Sequence, residues 1–246
     1  MTGDNSINPL MADQLDQQTE NWGPDFFWHR VRWKAVREQL PATGSFGLID
    51  VGAGAGFAGE YLERDFPTAS YSFVEPLETL ERRLEARWGE QANLKDAPSF
   101  GACDFVCMLD VLEHIEDDQA FLGELATKMK SGDRLIILVP ALQSLWSKWD
   151  ELYGHFRRYD KRMIKELIAP LPFEIREQGY LFPEMLPAAW LRRRRSRESA
   201  DRADGDLPPS ISPALNLALF ALSSLTLRLR NVSPRGTSLL AVLEKS

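Results

Sequence analysis

The chain has 246 residues, 44% of them hydrophobic and 26% charged, enough for one α/β domain with a sizeable core. Its formal net charge of −7 disfavours a nucleic-acid binder held by phosphate contacts. No signal-like apolar run opens the sequence and two cysteines make no disulfide framework, so the expected compartment is the cytoplasm.

In chain order, a polar stretch to Glu20 is expected to fray, and a tryptophan-rich segment, Asn21 to Arg30, follows it. Trp33, Val36, Arg37 and Leu40 carry a helical period that stops at Pro41. Leu48-Ile49-Asp50-Val51 reads as a strand running into glycines, and Phe57 to Arg64 reads as a helix. Tyr71 to Val74 is a second strand ending at Glu75. Leu77, Leu80, Leu84 and Trp88 then repeat at helical spacing. Phe105 to Leu109 is a third strand; Phe121, Leu122, Leu125 and Met129 mark a helix; Leu135 to Val139 is a strand halted by Pro140. Cys103 and Cys107 fall four apart around the third strand and are expected on one face as buried, inert thiols. Strands near-continuously apolar and alternating with helices predict a parallel sheet covered on both faces. Phe173 to Tyr180 and Thr237 to Glu244 read as two last strands, separated by a long insertion.

The sharpest motif is Asp50-Val51-Gly52-Ala53-Gly54-Ala55-Gly56, between a strand and a helix. Glycines there admit a ligand close to the backbone, and the helix N-terminus offers unpaired N–H groups. The alternative is a tight turn without a ligand. Glu75, at the end of the second strand, can accept both hydroxyls of a ribose, and Asp96 can meet an adenine amino group or be a solvated loop residue. Gly54-Ala55-Gly56-Phe57-Ala58-Gly59 also fits the dinucleotide pattern, which leaves an NAD-dependent oxidoreductase as a rival. Asp50 would repel a pyrophosphate but favours the ammonium and sulfonium of S-adenosylmethionine (SAM).

With these motifs in order, the chain resembles class I SAM-dependent methyltransferases, from roughly Phe46 to Tyr180 and again at the final strand. The resemblance implies a doubly wound, Rossmann-like, mostly parallel seven-stranded sheet with an antiparallel last strand. It divides the chain into a tail and helical flap over 1–45 and a SAM-binding domain over 46–246, with a helical lid over about 181–234. It implies SAM bound by Asp50, Gly52, Gly54, Gly56 and Glu75, with Asp96 and Leu109 beside it and Trp28 and Arg30 closing over it. A SAM-binding module without catalysis is the non-enzymatic alternative.

Asp110-Val111-Leu112-Glu113-His114 follows the third strand, and His155 lies in a later loop, Tyr153 to Tyr159. The set is similar to the Glu-x-x-Glu-His run with a distal histidine in ubiquinone-pathway O-methyltransferases and small-RNA 2′-O-methyltransferases, some of which hold a divalent metal. Here Asp110 stands where that pattern has glutamate, a shorter reach. Three readings stay open: a metal on Asp110, Glu113, His114 and His155 that acidifies an acceptor hydroxyl; His114 or His155 as a general base; or residues that cap a helix and order a loop.

In the insertion, Leu215, Leu219, Leu222, Leu225 and Leu229 follow helical spacing, but the run is too short and too interrupted by Arg228 and Arg230 for a membrane span. A lid helix packed on the sheet or in a dimer interface is the plainer expectation. The sharper one is a lid over an amphipathic or lipid-like acceptor, with peripheral membrane contact through 192–230. In that reading Arg192 to Arg195 and Arg197 touch an anionic surface, although Glu198, Asp201, Asp204 and Asp206 follow at once. The expected partner is a small-molecule methyl acceptor.

Overall fold

The computed structural model describes residues 22–101, 103–198 and 211–246. The polar N-terminal stretch and Asp201, Asp204 and Asp206 lie outside the described residues, as do the side chains of Arg195 and Arg197.

Six strands form one sheet in the order β2-β1-β3-β4-β6-β5. They are β1 (Gly47–Val51), β2 (Ser70–Val74), β3 (Phe105–Leu109), β4 (Arg134–Pro140), β5 (Phe173–Leu181) and β6 (Ser238–Lys245). β1 to β4 pair in parallel, and β6 runs antiparallel between β4 and β5. The strand count corrects the expected seven. Beyond β2 only a single parallel bridge, Phe73 to Asn93, marks the extra edge, and the chain then turns away through Asp96, Ala97 and Pro98. Proline lacks the N–H a ladder needs.

The helices are α1 (Phe27–Arg37), α2 (Phe57–Asp65), α3 (Glu78–Trp88), α4 (Asp118–Lys128), α5 (Lys148–Leu152), α6 (Lys161–Ile168), α7 (Leu186–Glu198) and α8 (Pro213–Leu227). Alternation along the strands divides the core in two. Ile49, Val51, Val106, Met108, Ile137 and Val139 meet Leu122 and Leu125 of α4 and Ile164 and Ile168 of α6. Leu48, Cys107, Ile136 and Leu138 meet Val31, Trp33 and Val36 of α1 and Ala58, Tyr61 and Leu62 of α2. The two thiols are free and buried, but they face opposite sides, because Cys103 precedes β3 and is not bound by its alternation. Burial pushes the Cys103 thiol up to about 12.

The insertion between β5 and β6 holds α7 and α8. α8 packs on α1 and is fixed by polar contacts: Asn216 Oδ1 accepts from the Phe27 N–H at 2.8 Å, which caps α1, while its Nδ2 donates to the Asp25 carbonyl at 2.9 Å. Ser223 and Thr226 donate to Glu184 at 2.6 and 2.8 Å. Leu219, Phe220 and Leu227 pack toward the core beside these polar groups, while Leu215, Leu217, Leu222 and Leu225 are exposed, as is Leu229 just beyond the helix.

Candidate functional site

The glycine loop is built by the end of β1. Gly52 and Ala53 donate to the Val74 carbonyl at 2.7 and 3.3 Å, so the loop rides on β2 as it turns. Gly52, Gly54 and Gly56 all take the left-handed conformation, with φ of 73°, 55° and 79°. A side chain at Gly56 would meet Leu84 and Trp88 at 2.7 Å, whereas one at Gly54 would meet nothing within 4 Å. Gly56 is therefore demanded by packing, and Gly54 borders open space where a ligand can approach. α2 begins at Gly56 without a side-chain cap, leaving its first N–H groups to a ligand or water.

Glu75 is buried at the end of β2. Its carboxylate accepts from the N–H of Gly54 at 2.7 Å and of Leu77 at 2.8 Å. Burial raises its pKa against those two hydrogen bonds. Asp50, on the face of β1 toward α1, accepts from the Tyr71 hydroxyl at 3.1 Å and the Cys107 thiol at 3.4 Å. Burial pushes its carboxyl up to about 6, with the two hydrogen bonds and Arg32 acting in opposition. Its proton therefore leaves near neutrality, when a cationic ligand would favour the anion. Asp96 stands exposed in the turn after the Asn93 bridge.

A pH prediction follows for Asp50. A carboxyl raised in the folded state lends stability that is complete below about pH 4 and is lost as pH rises through its folded value. Asp50→Asn should therefore melt like wild type in acid. At about pH 8 it should be more stable by up to about 3 kcal/mol, less whatever its own hydrogen bonds cost. Thermal melts of cofactor-free protein at the two pH values check this; a lower melting temperature at both would refute it.

α1 places Arg32 against Asp110, the residue after β3, and turns His29 and Arg32 to the same cleft. With Trp33, Phe57, Ala58, Tyr61 and Leu109 they line a cleft between α1, α2 and β3. Arg32 is buried and pairs with Asp110 at 2.6 Å, and its Nε and Nη2 have no partner. Burial and Arg32 together lower His29 to about 3, so it is neutral. The expected flap residues face elsewhere. Trp28 stacks on Phe182 with centroids 3.9 Å apart, and Arg30 lies 3.7 Å over the Phe220 ring of α8. Both belong to the seam between flap and lid. Arg32, one helical position on, escaped the sequence reading; the signal was its place among buried apolar neighbours on a helix directly before β1.

After β3 the chain passes through Asp110, held at φ 60°, into a 3₁₀ turn, Leu112–His114. Glu113, His114 and His155 offer ligand atoms all within 4.8 Å of one another. Asp110, the fourth expected ligand, is not in this cluster because Arg32 engages it. Glu113 is fully buried with both carboxylate oxygens unpartnered, and burial, then Asp110, raise its pKa well above the ordinary value. His114 Nδ1 is likewise buried and unpartnered, and burial and His155 lower His114 to about 4.

The loop carrying His155 is pinned onto this turn. Phe156 N–H donates to the Glu113 carbonyl at 2.7 Å, and the buried Tyr159 hydroxyl donates to Asp118 at 2.8 Å. His155 Nδ1 sits 2.9 Å from Asp150, which accepts from Arg158 Nε at 2.7 Å and from the Ser147 N–H at 2.9 Å. Burial would raise Asp150, but His155 and Arg158 hold it below its ordinary value. Asp150 thus orients His155 and leaves Nε2 for the cluster, as carboxylates do for metal-ligating histidines. Sequence reading missed Asp150 and Arg158, since nothing in their spacing links them to residue 113.

A methyltransferase domain family model matches residues 27–178. No curated protein matches the chain in sequence. Among solved structures the chain is similar to phosphoethanolamine N-methyltransferase 2 of Haemonchus contortus in complex with S-adenosyl-L-methionine. That match has a TM-score of 0.60 and 13% identity over 95% of this chain and 57% of the other, so the chain spans little more than half of that enzyme. It is also similar to a SAM-dependent methyltransferase of Thermotoga maritima (TM-score 0.59, 15% identity, 96% and 98% covered). A third similar structure is geranyl diphosphate C-methyltransferase of Streptomyces coelicolor with Mg²⁺, geranyl diphosphate and S-adenosyl-L-homocysteine (0.55, 15%, 87% and 78%). These likenesses show the fold; the match over residues 27–178 shows the family. This chain belongs to the methyltransferase domain family.

Proposed function

We propose that the enzyme holds SAM along Gly52, Gly54 and Gly56, with Glu75 on the ribose and Arg32 on the amino-acid carboxylate. It transfers the methyl group to an oxygen or nitrogen of a small, amphipathic acceptor seated over Glu113, His114 and His155. One observation carries this reading. Arg32, which pairs with Asp110 through Nη1 but leaves Nε and Nη2 unpartnered, and Glu113, with both carboxylate oxygens unpartnered, are both buried in the residues around Asp110. Buried polar groups without partners are rare in a finished protein, and two at one place fit ligands that bring the missing bonds. The Streptomyces neighbour binds geranyl diphosphate, an apolar chain with a charged head, which supports an amphipathic acceptor here.

A carboxylate and two imidazoles, one backed by Asp150, are a suitable donor set for a divalent cation such as Mn²⁺ or Zn²⁺. Glu113, His114 and His155 would hold it, and when bound it would supply a Lewis acid that lowers the pKa of an acceptor hydroxyl. The chain's own residues do the rest. Arg32 and Glu75 would hold the two ends of SAM, which when bound would supply an activated methyl group on sulfur for transfer to an aligned acceptor. His29, Trp33, Phe57 and Tyr61 line the cleft and limit its water.

Isothermal titration with S-adenosylhomocysteine tests the cofactor assignment. Arg32→Met should raise the Kd about tenfold or more, the cost of one lost charge-assisted hydrogen bond pair. An unchanged Kd in a folded variant would remove Arg32 from the site.

A further inference from the structure

The lid carries apolar residues on the side that a surface helix usually leaves polar. α8 turns Leu219, Phe220 and Leu227 inward with the hydrogen-bonded Asn216, Ser223 and Thr226, and still presents leucines to solvent, with Leu217 63% and Leu225 59% exposed. The apolar row continues beyond the helix through Leu229 and Val232, which is 78% exposed. α7 adds Trp190 and Leu191, each about half exposed. Both helices meet the Pro183–Met185 turn: α7 follows it directly and α8 packs on it. That turn stands at the carboxyl end of β5, and α7 touches the Gln143–Leu145 turn after β4, so the surface lies at the ligand edge of the sheet.

Charge decides what covers it. In a chain of net charge −7, α7 carries five arginines against one acid, Glu198, and residues 213–236 carry Arg228 and Arg235 beside Arg230, which is paired inward with Glu38 and Glu177, and no acid. Arg194 stands over the Trp190 ring at 5.0 Å, an arginine and an indole together at the rim of an apolar face. An isologous contact with a second copy would bring this basic rim against itself, whereas an anionic lipid surface complements it. α8 has 15 residues, and no described helix is long and apolar enough to cross a membrane. A helix of this length with one apolar face lies in the interface plane.

We propose that the outer faces of α7 and α8 dock this enzyme on an anionic membrane surface, the leucines of α8 entering the headgroup boundary and the α7 arginines meeting lipid phosphates. The surface is separate from the cofactor cleft, so the two assignments stand or fall independently.

Vesicle co-sedimentation tests it, using phosphatidylcholine alone or mixed with phosphatidylglycerol, with S-adenosylhomocysteine titrated on the same preparations. Wild type should partition at least about tenfold more strongly onto the anionic vesicles, and less so in high salt. Leu217→Asp with Leu225→Asp should reduce binding at least about tenfold while leaving S-adenosylhomocysteine affinity unchanged. Arg193→Glu with Arg194→Glu should remove the lipid preference. A second measurement avoids disruptive changes: because Cys103 and Cys107 are buried, Leu217→Cys can be labelled selectively with an environment-sensitive fluorophore. Its emission should shift to the blue on anionic vesicles. Intact cofactor binding with no vesicle binding and no shift would overturn the proposal, as would a dimer in sedimentation that Leu217→Asp dissolves.

Discussion

Glu75→Ala is expected to raise the Kd for S-adenosylhomocysteine by about two orders of magnitude, the largest effect of any single change in the cofactor cleft. Two losses combine. The carboxylate tethers Gly54 at 2.7 Å and Leu77 at 2.8 Å, so its removal frees the loop that must stay close to the ligand. It is also the acceptor proposed for the ribose hydroxyls, and bonds to a charged acceptor are worth about 1.5–3 kcal/mol. Glu75→Gln keeps one oxygen and the shape, and should lose only about tenfold. Titration calorimetry separates the two. Affinity within threefold of wild type for a folded Glu75→Ala would place the ribose elsewhere.

Glu113→Leu should act in opposite directions on stability and on metal binding. The wild-type carboxylate is fully buried without a hydrogen bond, and burial holds its pKa well above the ordinary glutamate value. A group raised in this way contributes stability at low pH and forfeits it as pH climbs through its folded value. In chelator at about pH 8, leucine should therefore raise the stability by about 2 kcal/mol, or about 4–8 °C in Tm for a chain of this size. Near about pH 4, where glutamate is protonated in both states, the advantage should vanish. The same variant should bind no Mn²⁺ or Zn²⁺, whereas wild type gains thermal stability from the ion. A wild-type protein that no divalent cation stabilises would sink the metal assignment. A less stable Glu113→Leu would show the carboxylate to be a structural group.

Much of the fold was legible because its strands are apolar on both faces and its helices on one. β1 to β4 are read to within a residue or two from Leu48 to Val51, Tyr71 to Val74, Phe105 to Leu109 and Leu135 to Val139. The last edge was not. Whether Asn93 extends the sheet depends on a ladder that Pro98 and the neighbouring turn cut short, and an isolated bridge has no periodicity to detect. The glycine loop and Glu75 were visible because local backbone demands write themselves into local sequence. The flap side chains were not, since Trp28, Arg30 and Arg32 share one helix, and which of them faces the cleft is set by α8, nearly two hundred residues later. Asp110 is a similar case: its spacing to Glu113 suits a ligand, but the Arg32 guanidinium claims it first. The α8 leucines divide in a way composition does not show: Leu219 and Leu227 dock with Phe220, Asn216, Ser223 and Thr226, and the others face outward.

The cap that Asn216 places on α1 also sets an order in time. The N–H of Phe27 finds its acceptor 189 residues further along the chain, and Arg230 ties the far end of the same seam to Glu38 at 2.7 Å. During synthesis the flap emerges before the sheet, yet neither fastening exists until residues 216 and 230 have left the ribosome. Closing so long a loop comes late in folding because its entropy must be offset by contacts already made. The parallel strands β1 to β4 and the glycine loop can therefore form first, with the cofactor cleft still unroofed. The roof over it is the final piece to set.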